Sequence, residues 1–210
     1  MLMIIACLTM LADHIGGHVL DVPAMRIIGR LAMPIYAYLI AGSFEHTRDR
    51  KQYLRKMICN AAVSQIPFMI MTGSFKLNIC FTWTISILVL ICFEDTAANR
   101  NKSLFPITVL LSASCIVPMD YGIFGVLWVM MFYLRNKMKD SHGDAVLMIG
   151  AVLICCVWGV PIQFASLFAL PVIFLCERYC LVRLKNKYAA AVYRLFYPVH
   201  MMIIDVYNLV

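Results

Sequence analysis

"MLMIIACLTMLADHIGGHV", residues 1–19, decides how this chain folds. Its first twelve residues carry no charge, and then Asp13 and His14 stand side by side. A helix of about 20 apolar residues crosses a bilayer core of roughly 30 Å, so the stretch has the length of a membrane span. It has neither the basic start nor the small-residue cleavage site of a signal peptide, and so reads as a retained helix. The rest of the chain agrees: of 210 residues 63% are hydrophobic and 14% charged, where a soluble domain has about 45–50% and about 25%. An integral membrane protein is expected.

Working outward, further apolar runs occupy 27–44, 54–72, 77–93, 104–118, 121–134, 145–160, 164–182 and 189–209. The expected architecture is therefore all-α, one polytopic membrane bundle over 1–210 with about nine spans. Some of these are short or re-entrant: the 14 residues of 121–134 reach only about 21 Å. Pro67, Pro106, Pro161, Pro171 and Pro198 lie in or beside the runs, where neighbouring helices can satisfy the freed carbonyls.

The basic residues give an orientation. Of the 18 Lys and Arg, all but Arg26, Arg30 and Lys76 fall on one side of a nine-span arrangement, in the loops around 48–56, 100–102, 135–139 and 178–194. By the positive-inside rule that side is cytoplasmic, which puts the N-terminus inside and the C-terminus outside. The net charge of +7 is thereby explained without a nucleic-acid partner, and no basic, aromatic-interleaved surface points to one. Nine cysteines lie mostly within apolar runs, with no CxxC pair and no spacing to His that suits a metal. They read as free thiols, and no metal site is expected.

Against this apolar background the polar residues of the outer half stand out. Asp13 and His14 lie about two-thirds of the way along the first span, and Arg26 and Arg30 enter the second from the same side. Asn78, Asp120 and Tyr121 lie at outer turns, while His200 is mid-span with Asp205 beyond it. Each ionisable group at the bilayer centre costs about 2.5–3.5 kcal/mol on insertion scales, so several on one side must face each other or a wet cavity. Adjacent helical residues diverge by about 100°. Asp13 therefore does not orient the His14 imidazole and is expected to pair with Arg30 or His200, leaving His14 available as a general base at neutral pH. Tyr36, Tyr38 and Trp83 read as packing or interfacial aromatics.

Several blocks, in this order, resemble the TraX family: "LTMLADHIG" (8–16), "RIIGRLAMPIYAYLIAGSFEHTRDRKQYLRK" (26–56), "SQIPF" (64–68), "LNICFT" (77–82), "DYGIFGVL" (120–127) and "FYPVHMMIID" (196–205). The founding type of that family is a plasmid-encoded inner-membrane acetylase of conjugative pilin, and the family looks related to the transmembrane acyltransferases of the acyltransferase-3 and heparan N-acetyltransferase groups. The resemblance implies a bacterial inner-membrane enzyme that takes acetyl from cytosolic acetyl-CoA and delivers it to an acceptor beyond the membrane. Residue by residue it implies a catalytic role for His14 in the "DH" motif beside Asp13, places Arg30 on the arginine of "RxAxPxxAxL", and His200 on "YPxH". Met33 stands where the family often has Phe.

On that reading the CoA phosphates would meet "HTRDRKQYLRK", with Arg48, Arg50 and Lys51 as candidates, although simple cytoplasmic anchoring would use the same residues. Arg30, Asn78 and Tyr121 are alternative donors for the developing oxyanion. Nothing in the chain names the acceptor: a pilin-like N-terminus and a surface glycan both suit the chemistry, and lipids are the remaining partner. Two other classes fit the same residues. A small-solute carrier would use Asp13, His14, Arg30 and His200 as a proton-linked path, but the chain has no inverted repeat. A non-catalytic assembly factor for a secreted partner would not need His14.

Overall fold

The computed structural model describes residues 1–98, 103–138, 141–179 and 187–209. Arg100, Lys102, Lys139, Arg183, Lys185 and Cys180, which entered the orientation and thiol arguments, lie outside the described residues. The described residues are mostly helical: α1 (Leu2–His18), α2 (Pro23–Gly29), α3 (Ala32–His46), α4 (Arg50–Thr72), α5 (Ile79–Ala98), α6 (Phe105–Ile116), α7 (Gly122–Met138), α8 (Ser141–Trp158), a 3-10 helix (Pro161–Phe168), α9 (Ala169–Arg178) and α10 (Lys187–Leu209). Among the described residues the extended pairing is one isolated bridge, Leu77 to Met119.

By length and composition, Pro23–His46, Ile79–Ala98 and Pro161–Arg178 can cross a membrane, and α1, α6 and most of α8 are equally apolar but shorter. Helices α4 and α10 are 23 residues each, long enough to cross, yet fall short on composition. For α4 the reason is its first turns, where Arg50, Lys51, Arg55 and Lys56 stand, and its lining of a cavity by Gln52, Lys56 and Asn60. Its outward face carries Val63, Ile66 and Ile70, more than half exposed like Ile149, Leu153 and Val157 of α8, the apolar exterior a lipid-facing bundle requires.

The second expected span is interrupted. Pro34 has no N–H to give the Arg30 carbonyl and its ring crowds that oxygen, so the helix breaks at Arg30–Leu31 into α2 and α3. Two glycines then let α2 lie flush on α1. A Cβ at Gly16 would sit 2.5 Å from the Met25 Cβ, and one at Gly29 would overlap the Asp13 side chain. Only hydrogen at those positions allows the approach that puts Arg30 against Asp13.

Helix α3 lies at the centre, against α1, α7 and α9, while α4 packs on α5 and α10. Phe44, Trp128, Phe132 and Tyr133 fill the interior between α3 and α7 with their rings fully or almost fully buried. The basic-loop end is tied by ion pairs. Arg135 binds Glu177 through two nitrogens at 2.6 and 2.8 Å and Asp144 at 2.7 Å. Arg50 pairs with Glu94, which also accepts from the Tyr133 hydroxyl at 2.8 Å.

Candidate functional site

At the opposite end from those ion pairs, α1, α2, α10 and the α6–α7 turn meet around a polar chamber. On α1, Asp13 turns toward α2 and pairs with Arg30, whose Nε also donates to the Arg26 carbonyl at 3.2 Å. The neighbouring residue points elsewhere, as the helical angle requires: His14 Nδ1 lies 2.7 Å from His200 Nε2 on α10. His18, one turn on, stands with its ring centre 6.3 Å from that of His14. Of the two partners open to Asp13 in the sequence, Arg30 is the one it takes.

Asp120 and Tyr121 are held at the chamber by a backbone clamp. Leu77 N–H donates to the Pro118 carbonyl at 3.0 Å, Asp120 N–H to the Leu77 carbonyl at 2.8 Å, and the Thr82 hydroxyl to the Asp120 carbonyl at 2.5 Å. Tyr121 adopts φ +62, a costly conformation for a bulky residue, and Trp158 packs edge-on against its ring at 5.4 Å. Burial pushes the Asp120 carboxyl up to about 6, against the pull of Arg30.

The chamber is one end of a continuous cavity of about 950 Å³. Asp13, His14, His18, Arg26, Arg30, Lys76, Asp120 and Tyr121 line this end; Tyr36, Met57, Asn60, Cys80, Trp83 and Tyr197 the middle; His46, Arg48, Asp49, Gln52, Lys56 and Arg194 the other. Its lining on α4 runs from Gln52 to Thr72, a rise of about 30 Å at 1.5 Å per residue, comparable with a bilayer core. One cavity therefore joins the basic loop to the His14 chamber.

Not every expected residue belongs to it. Asn78 is fully buried and caps α5: its Nδ2 donates to the Ala61 carbonyl at 2.8 Å and to Gln65 Oε1 at 2.9 Å, and its Oδ1 accepts from Cys80 N–H at 2.9 Å. With both amide hydrogens engaged it has no donor for an oxyanion, and its place is structural. Arg50 is drawn away to Glu94 and stacks over Phe44 at 4.4 Å. Lys51 is exposed and outside the cavity, whereas Arg48 lines it. His200 stands behind His14 rather than on the cavity wall.

Sequence reasoning missed residues as well. Arg194 joins Arg48 at the basic mouth, together with Lys56 from the end of the "HTRDRKQYLRK" stretch. Tyr36 and Trp83, expected as packing aromatics, line the cavity, with the Tyr36 hydroxyl 3.3 Å from Cys7 Sγ; Tyr38 does pack, edge-on to Phe132 at 5.5 Å. Tyr197 is 7% exposed and lines the middle of the cavity. Its signal was its place in "YPVH", one helical turn before His200. Among the described residues no three His, Cys, Asp or Glu side chains converge as metal ligands.

Fold and site together define an all-helical protein with segments able to span a membrane, wrapped round a polar cavity that runs along its helices. The family model for the TraX protein matches residues 1–208, and the chain belongs to the TraX family. Neither the curated proteins nor the solved structures gave a match.

Proposed function

We propose that the protein is a membrane-embedded acyltransferase that moves an acetyl group from cytosolic acetyl-CoA to an amine or hydroxyl beyond the membrane. The observation that carries this reading is the single cavity from the basic mouth at Arg48, Lys56 and Arg194 to the chamber at His14. A thioester substrate has an anionic head and a long, slender arm, and such a cavity offers basic groups at one end and a titratable imidazole at the other. In this reading the bundle has nine spans in a bacterial inner membrane, the N-terminus and basic mouth are cytoplasmic, and the acceptor enters from outside. A pilin-like N-terminus and a surface glycan are both acceptors of the right chemistry.

The transfer follows from these positions. His14 takes a proton from the acceptor amine or hydroxyl as that atom attacks the thioester carbonyl. Arg30 and Tyr121 are the donors in reach of the chamber for the resulting oxyanion, each such donor being worth about 2.7–4 kcal/mol. The C–S bond then breaks, and the CoA sulfur leaves with the proton that His14 returns to it. Asp13 holds Arg30 in place and compensates its charge.

The test uses purified protein in detergent with labelled acetyl-CoA and a panel of amine and hydroxyl acceptors. Acceptor-dependent CoA release is expected, falling at least about a hundredfold in His14→Ala, within the range a general base contributes. Undiminished release in that variant removes His14 from the reaction. Solute flux without an acyl donor would instead identify a carrier.

A further inference from the structure

His200 touches no substrate in this reading, yet it is 4% exposed and directly behind His14. Its Nδ1 lies 2.6 Å from the Phe196 carbonyl oxygen. A carbonyl oxygen only accepts, so that nitrogen carries a hydrogen. In neutral His200 the lone pair is then on Nε2, and Nε2 is the atom 2.7 Å from His14 Nδ1. Two lone pairs do not face each other at that distance, so His14 Nδ1 carries a hydrogen as well. The ring centres are 4.9 Å apart with planes at 16°, the arrangement two imidazoles adopt when the bond lies in the plane of both rings.

We propose that His200 is a positioning residue: through the chain Phe196 carbonyl, His200, His14, it holds His14 as the Nδ1–H tautomer and so turns the lone pair of Nε2 into the chamber. Neutral imidazole in water prefers the opposite tautomer, with the hydrogen on Nε2, and which nitrogen is free is set by the bond the other makes. Here that bond is built into α10, because Phe196 and His200 are four residues apart on one helix and the Phe196 ring lies parallel to the imidazole at 4.8 Å. During transfer the acceptor proton goes onto His14 Nε2 and leaves with the CoA sulfur, while His200 stays neutral. This catalytic consequence rests on the acyl-transfer reading; the tautomer does not.

The experiment is nitrogen-15 NMR of the full-length protein, labelled at histidine and reconstituted in lipid bilayers at pH 8, with His14 assigned by the signals lost in His14→Gln. A protonated Nδ1 and a bare Nε2 are expected for His14, and a protonated Nε2 overturns the proposal without recourse to any other variant. In His200→Leu, His14 should revert to the Nε2–H form and kcat should fall roughly 10- to 100-fold, the usual cost of losing an orienting partner, with KM for acetyl-CoA changed by less than about twofold. His200→Gln, whose Oε1 can accept in place of Nε2, should keep the Nδ1–H form and part of the activity. An unchanged tautomer in folded His200→Leu, or a reverted one in folded His200→Gln, assigns the effect elsewhere and overturns the role of His200. The expected spectra with no CoA release from acetyl-CoA in the presence of any acceptor would uphold the tautomer and defeat the acyl-transfer reading.

Discussion

Asp13 and His14 show how much one bond of sequence separation decides on a helix. The two side chains point about 100° apart, so one is held by Arg30 and the other by His200. The Asp13 and Arg30 side chains are only 18% and 10% exposed, a burial at which removing one partner leaves an uncompensated charge. Arg30→Met should therefore destabilise the protein by about 3–5 kcal/mol. The double variant Asp13→Leu with Arg30→Met, which removes both charges of that pair, should recover part of that loss, since the buried Asp120 carboxyl still loses the pull of Arg30. Thermal unfolding in detergent checks the order, and a double variant no better than Arg30→Met would show that the pair acts through something other than its charges.

At the scale of elements the decisive feature is the interrupted second span. Pro34 ends the hydrogen-bond ladder at Arg30, and Gly16 and Gly29 let α2 settle on α1. The hydrophobic run and the proline that interrupts it both stand in the sequence, but the close seating of α2 on α1 was not legible, because it depends on which face of α1 meets Gly29. Gly29→Ala should cost about 1–3 kcal/mol, as overpacking does, and loosen the Asp13 to Arg30 pairing. Gly42, on α3 with nothing within 4 Å of where a Cβ would stand, is the matched control: Gly42→Ala should leave stability unchanged or raise it by up to about 1 kcal/mol. Equal melting shifts for the two variants would rule out close α1–α2 packing as the cause. Asn78 belongs to this scale too, since a polar residue at a span entrance reads as functional until its helix cap is seen.

For the whole molecule the cavity is what gives the separate residues a common purpose. Met57 lines its middle, between the basic mouth and His14. On the proposed acyl-transfer reading, Met57→Trp should raise KM for the acyl donor roughly tenfold, an energy of about 1.4 kcal/mol, while melting close to wild type; an unaffected KM would count against this cavity as the route of the thioester. The nine-span reading makes its own prediction. Reporter fusions should place Met1 and the α3–α4 turn at residues 47–49 in the cytoplasm and the end of α10 outside, and both ends on one side would require an even number of crossings.

What the sequence determined by itself was the solvent and the inventory. Apolar runs of membrane length, separated by short basic loops, specify helices in lipid, because an unpaired backbone has nowhere else to bond there. The same runs expose each polar side chain within them as an exception needing a partner. Which partner it finds was decided by tertiary structure alone: Asp13 meets Arg30 across a glycine contact, His14 meets His200 from 186 residues away, Arg50 leaves the mouth for Glu94, and Asn78 closes on its own helix end. The physical reason is that hydropathy fixes which face of a helix avoids lipid, whereas hydrogen bonds and ion pairs depend on the rotation and contact of two helices at once, and no local pattern encodes both.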